Sequence, residues 1–230
     1  MAAESRPMFP SPLDYPSPNA QERAIDRIVH VIGFGSAVIG GAALLAFGAW
    51  RLSPGLFLVA AIYVLTLLLS KTVSALYHTH PSNEWRAFLR RLDQAAIYGL
   101  IAGTFTPLLV FMNTTWSHAL LVAVWVFTIP GVLFKLFARD IDTRWSLASY
   151  LAFATFFMLA LPDVMNSLPG SAVIAMFVGG LSYIVGTWFF SREAMPYRFA
   201  IWHGFVLVGS GAFFLAIWLV LLPGSPAGSF

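Results

Sequence analysis

Seven apolar runs of about 20 residues each dominate this chain, and they leave few folds open to it. An α-helix rises 1.5 Å per residue, so such a run crosses the hydrocarbon layer with every backbone hydrogen bond made within the segment. The runs occupy residues 28–50, 56–78, 92–112, 117–138, 145–163, 171–190 and 199–222. The segments between them are short, so the expected fold is an all-α membrane protein, a seven-transmembrane helix bundle. Only 10% of the 230 residues are charged and 59% are hydrophobic, whereas a soluble domain carries roughly a quarter charged residues. That balance excludes a water-soluble domain with a large core. There is no cysteine, which removes disulfide and thiolate–metal chemistry.

The basic residues orient the bundle. Arg6, Arg23 and Arg27 precede or open the first run; Arg86, Arg90 and Arg91 lie between the second and third; Lys135, Arg139 and Arg144 flank the fourth connection; Arg192 and Arg198 lie before the seventh. Apart from these, only Arg51 and Lys71 remain. The positive-inside rule then puts the N-terminus in the cytoplasm and the C-terminus outside, in a multi-pass cell-membrane protein. A net charge of +3 held in short loops is a topology signal and gives no reason to expect nucleic acid. Trp50, Trp85, Trp116, Trp145, Trp188 and Trp202 fall near the ends of runs, where interfacial tryptophans belong. The five prolines of residues 1–20 suggest a disordered cytosolic leader. With no basic start and no apolar run, this segment is not a signal peptide. Residues 21–222 form the membrane domain and 223–230 a flexible tail.

Polar side chains are costly inside such a bundle and mark functional sites by default. Ser74 and His78 are four apart and share a helix face, with Lys71 seven before the histidine on roughly the same face. The bland alternative has His78 capping its helix and Lys71 snorkelling to water. Asp93 opens the third run, where the helix dipole alone would favour an acid. Glu22, Asp26 and His30 are spaced by four on the first helix. They read equally as a polar interfacial stripe or as a shell orienting a buried site. The inferred topology brings His30, His78, Asp93 and His203 to a similar depth at the cytoplasmic face. Ala95, Gly99 and Gly103 form a ladder of small residues suited to close helix packing, as does Gly209-Ser-Gly211. Pro107 and Pro130 are expected to bend their helices.

Four stretches together resemble the haemolysin III family, the bacterial branch of the progestin and adipoQ receptor family. They are Glu22-xxx-Asp26-xxx-His30-xx-Gly33; Ser74-Ala-Leu-Tyr-His78; Asp93-xxx-Ile-Tyr-xxx-Ile-Ala-Gly-Thr-Phe-Thr-Pro107; and Ala200-Ile-Trp-His203-xxx-Leu-xxx-Gly-Ser210, after Pro196-Tyr. The resemblance implies an intramembrane zinc site with His78 and His203 as ligands, Asp93 as the nearby aspartate and Ser74 as the nearby serine. It also exposes a departure, since the family places another histidine where this chain has Phe199. A later histidine is replaced by Phe213, and Asp26 stands where asparagine is usual. A catalytic zinc site keeps three protein ligands and an open position, so Asp93 is expected to complete the set with His78 and His203. His30, Asp26, Glu22 and Lys71 are candidates for the surrounding shell.

Two functions of different kinds follow. One is a zinc-dependent intramembrane hydrolase acting on a lipid amide, with Asp93 and Ser74 orienting water or relaying its proton. The other is a non-catalytic lipid sensor or membrane-homeostasis protein with a degenerate metal site. Both make membrane lipid the partner. A pore-forming haemolysin ranks below them, and a retinal protein is disfavoured because the seventh run lacks a lysine.

Overall fold

The computed structural model describes residues 15–17, 19–80, 84–137 and 143–221, without the side chains of 143–152 and 154. Most of the expected leader, the tail 223–230, Arg6 and Arg139 lie outside the described residues, as do the side chains of Arg144 and Trp145. The elements are seven helices: α1 Ala20–Arg51, α2 Pro54–Thr79, α3 Arg86–Met112, α4 Thr115–Phe137, α5 Thr143–Ser167, α6 Gly170–Phe190 and α7 Arg198–Leu221. Each apolar run therefore forms one helix. Among the described residues, six of these helices, α1 to α4, α6 and α7, are long and apolar enough to cross a membrane by length and composition. Large apolar side chains such as Val31, Ile39, Leu65 and Phe137 are exposed, as suits a surface bathed in lipid.

Two helices begin well before their apolar runs. α1 starts eight residues earlier than residue 28 and α3 six earlier than residue 92. Hydropathy marks only the part inside lipid, whereas a helix continues until its backbone donors are capped. Asn19 caps α1, its side-chain oxygen accepting from the Glu22 amide at 2.8 Å while its amide donates to Glu22 Oε1 at 2.8 Å. This is a reciprocal capping arrangement. It engages Glu22 locally at the helix start. Ser53 and Pro54 open α2 in the same spirit, with a capping side chain followed by proline at the first helical position.

Each helix packs on its chain neighbours, α7 closes the ring against α1, and α3 also touches α5 and α7. Small residues set the close approaches. At Gly103 a Cβ would collide with the Thr66 side chain, so α2 and α3 can meet there only because the residue is glycine. Gly99, one turn earlier in the same ladder, has open space around it, so the ladder acts mainly through one of its members. α3 and α4 run on past Pro107 and Pro130. The main core, including Leu44, Tyr63, Leu67, Leu109, Val164 and Ile217, fills the part of the bundle away from the polar residues.

Candidate metal centre

Three helices bring the polar group together: the second and third turns of α1, the last turn of α2 and the second turn of α7. Asp26 is the hub. Its Oδ2 lies 2.6 Å from His78 Nδ1 and its Oδ1 2.8 Å from His203 Nδ1. His30, one turn along α1, places Nε2 3.6 Å from Asp26 Oδ1. The three imidazoles pack on one another with centroids 4.2 to 4.8 Å apart. One ligand atom from each of Asp26, His30, His78 and His203 falls within a set spanning 4.8 Å. The side chains are 3 to 10% exposed, so water does little to solvate them.

This donor set fits a divalent transition metal. Imidazole nitrogens and one carboxylate are zinc ligands, and a carboxylate among three histidines leaves a bound Zn²⁺ with partial charge compensation. The clearest sign is His30 Nε2, a buried nitrogen with no hydrogen-bond partner. Buried polar atoms rarely stay unsatisfied, and an ion, or a water held on an ion, is among the standard explanations.

The sequence expectations divide at this point. His78 and His203 come together as ligand candidates. Asp93 does not join their group and instead lines an adjoining cavity together with Ser74. The carboxylate in contact with both histidines is that of Asp26, which had been expected only in a surrounding shell. Residues 26 and 203 lie 177 apart in sequence, and only the packing of α1 against α7 reveals the pair. A signal was present in the family resemblance, which implies asparagine where this chain has Asp26 and histidine where it has Phe199. Phe199 sits beside the group, its ring centroid 5.5 Å from that of His78.

The N-terminal approach contributes a residue that sequence reasoning missed. Ser17 is buried, and its hydroxyl donates to Asp26 Oδ2 at 3.4 Å. Tyr15 stacks under the guanidinium of Arg86 at 3.9 Å, while Arg86 itself donates to the carbonyls of Tyr77 and His80. A proline-rich composition argues for disorder and says nothing about individual side chains that dock.

The group opens onto a cavity of about 800 Å³ lined by residues of α1, α2, α3, α5, α6 and α7. His30, His78, His203, Ser74, Asp93 and Lys71 are among its polar lining. The rest is mainly apolar, including Leu108, Phe157, Ile174 and Phe213. Its α3 wall runs from Arg90 to Leu108, which at 1.5 Å per residue is roughly 27 Å. Lys71 turns away from the four-residue group to Ser210, Nζ to Oγ 3.1 Å.

Comparisons with known proteins give the family. The family model described as haemolysin-III related matches residues 20–214. The chain is 33% identical to the hemolysin-3 homolog of Bacillus subtilis strain 168, covering 86% of this chain and 93% of that protein. It is 30% identical to hemolysin-3 of Bacillus cereus, covering 88% and 93%. The human monocyte to macrophage differentiation factor is 26% identical, over 89% of this chain and 86% of that protein.

Proposed function

The chain belongs to the haemolysin-III related family, and from that premise we propose that it is a zinc-dependent intramembrane hydrolase acting on a lipid amide from the cytoplasmic side. The observation that carries the reading is a compact Asp/His₃ group, with one nitrogen unsatisfied, at the polar end of a long apolar cavity. Asp26, His78 and His203, whose ligand atoms already lie together, would hold the zinc in place of their mutual hydrogen bonds. When bound, the ion polarises a carbonyl and makes water nucleophilic near neutral pH.

The residues of the chain do the rest. Ser17 donates to Asp26 Oδ2 and steadies the carboxylate before substrate enters. The apolar walls hold the acyl chain and keep bulk water out. His30 Nε2, without a partner and facing the same cavity, accepts a proton as water oxygen bonds to the amide carbon. It returns that proton to the nitrogen as the C–N bond breaks. Asp93 and Ser74 line the cavity on the substrate side and position the amide.

Elemental analysis of the purified protein tests the metal: about one zinc per chain is expected, and a metal-free wild type overturns the reading. His30→Gln tests the chemistry. It should keep the zinc and lose cleavage across a panel of lipid amides.

A second reading has its own support. Four protein ligands close a tetrahedral zinc and leave no position for water, and Phe199 occupies the edge of the group. If His30 is a fourth ligand, the site is structural and the protein a non-catalytic lipid-binding module. His30→Gln then loses zinc as well, which separates the two.

A further inference from the structure

A second crevice, of about 690 Å³, opens between α1 and α2 on the outer surface of the bundle. Its α1 wall carries Arg27, His30, Val31, Phe34 and Gly35, whose spacings of three and four put them on one helix face. Ala75 and Thr79 of α2 line it as well, and Tyr15 of the N-terminal approach stands at its polar end. α1 and α2 run in opposite directions, so Arg27 and Thr79 share the interfacial level while Phe34, Gly35 and Ala75 lie deeper. The step from Arg27 to Gly35 is about 12 Å along the helix. That passes from headgroups into hydrocarbon, since each polar layer of a bilayer is roughly 5 to 8 Å thick. At Gly35 nothing lies within 4 Å of where a Cβ would stand, so close helix packing does not account for that glycine and the groove there is open.

The polar end is cationic. Arg27 is exposed, and among the described residues no carboxylate pairs with it. The acids on its own helix are engaged elsewhere: Glu22 accepts from Asn19, and Asp26 contacts two histidines. The Tyr15 ring lies 3.9 Å from the Arg86 guanidinium and 5.1 Å from that of Arg23, which adds two further positive charges. Thr79 donates its hydroxyl to the Ala75 carbonyl, so the donors offered to an anion are the Arg27 guanidinium and the Tyr15 hydroxyl. We propose that this crevice binds one anionic phospholipid of the adjacent leaflet, its phosphate on Arg27 and Tyr15 and one acyl chain along Val31, Phe34, Gly35 and Ala75. The positive-inside rule makes that leaflet the inner one, where basic pockets between membrane helices recognise anionic headgroups. Arginine gives a phosphate two parallel charge-assisted hydrogen bonds. The site goes beyond the hydrolase reading and needs neither metal nor turnover.

Native mass spectrometry of the full chain, purified in a non-ionic detergent, counts retained lipid after titration with dioleoyl phosphatidylglycerol or dioleoyl phosphatidylcholine. Wild type should retain one phosphatidylglycerol per chain, preferred over phosphatidylcholine by about fivefold, the effect of one arginine at a membrane surface. Arg27→Gln should remove that preference. Gly35→Leu fills the groove and should weaken retention of both lipids several-fold with Arg27 intact; it decides the matter if Arg27→Gln proves unstable in thermal unfolding. Arg51→Gln, at the opposite end of α1, removes the same charge and should leave the preference unchanged. Equal retention of the two lipids by wild type overturns the site. So does a preference that survives Arg27→Gln or is lost in Arg51→Gln, or retention that Gly35→Leu does not weaken. Millimolar glycerol 3-phosphate should leave the lipid in place; its displacement would make a soluble phosphate the occupant and overturn the phospholipid.

Discussion

The α1–α2–α7 wedge and the α3–α4–α5 wedge are built from the same oily composition but are held by different forces. In the first, Asp26 ties His78 and His203 together, and Lys71 reaches Ser210, across helix boundaries. In the second, contact is aromatic: the Phe153 ring lies 5.8 Å from Tyr98 and 5.1 Å from Phe127, both edge-on, and Phe153 is almost fully buried. The wedge's interhelical hydrogen bonds are separate from one another: Trp125 donates to Thr106 at 3.1 Å, Arg91 to the Leu136 carbonyl at 3.1 Å and Trp116 to the Leu159 carbonyl at 2.9 Å. Inside lipid there is little hydrophobic gain from pairing helices, so association rests on packing and on hydrogen bonds. One wedge uses shape with scattered, independent hydrogen bonds. The other uses polar groups whose satisfaction depends on one another, which makes it the better place for chemistry and the more sensitive one to substitution.

The largest effect should come from emptying the polar wedge. The double variant His78→Ala, His203→Ala is expected to drop zinc from about one per chain to near zero in elemental analysis, with the aromatic wedge still folded by circular dichroism. Phe153→Ala should do the reverse. It opens a cavity among Tyr98 and Phe127, and thermal unfolding should register about 3 kcal/mol of destabilisation with zinc stoichiometry unchanged. Asp26→Asn removes the anion and weakens the bridge, so zinc affinity should fall on the order of 10- to 100-fold while stability changes little. Competition with a chelator measures this, and an unchanged affinity would show that Asp26 neither binds nor orients. Phe199→His offers a further imidazole beside His78 and should tighten zinc by roughly tenfold in the same assay.

Acid gives a milder test of the same contrast. Protons compete with a metal ion for histidine nitrogens and carboxylate oxygens, so zinc affinity should decline as pH falls and recover as it rises. The smallest effect is expected from Gly99→Ala, where nothing lies within 4 Å. Its unfolding temperature should barely move, whereas Gly103→Ala, which collides with Thr66, should lower it clearly.

Much of the site was legible one helix at a time. Ser74 and His78 at spacing four, and Asp26 and His30 at spacing four, announce shared faces because the helix repeat is local. Charge asymmetry suggested which ends gather. The identity of the carboxylate was not legible. Asp93 and Asp26 both open a helix at the same end, and choosing between them requires the rotation of α1 and α3 about their axes, which follows from contacts such as Gly103 on Thr66. Lys71 was ambiguous for the same reason, since its spacing from His78 fits either the metal group or a separate partner.

The sequence by itself therefore determined the solvent, the helices, the family and the end of the bundle where polar residues meet. Those properties follow from hydropathy, charge and short-range periodicity, all of which are sums over neighbouring residues. Tertiary structure alone decided that Asp26 sits among the histidines, that Asp93 faces the cavity, and that Lys71 joins Ser210 and Tyr183. Those pairs are separated by up to 177 residues, and at such distances the side chain that reaches a partner is fixed by how helices are turned and pressed together.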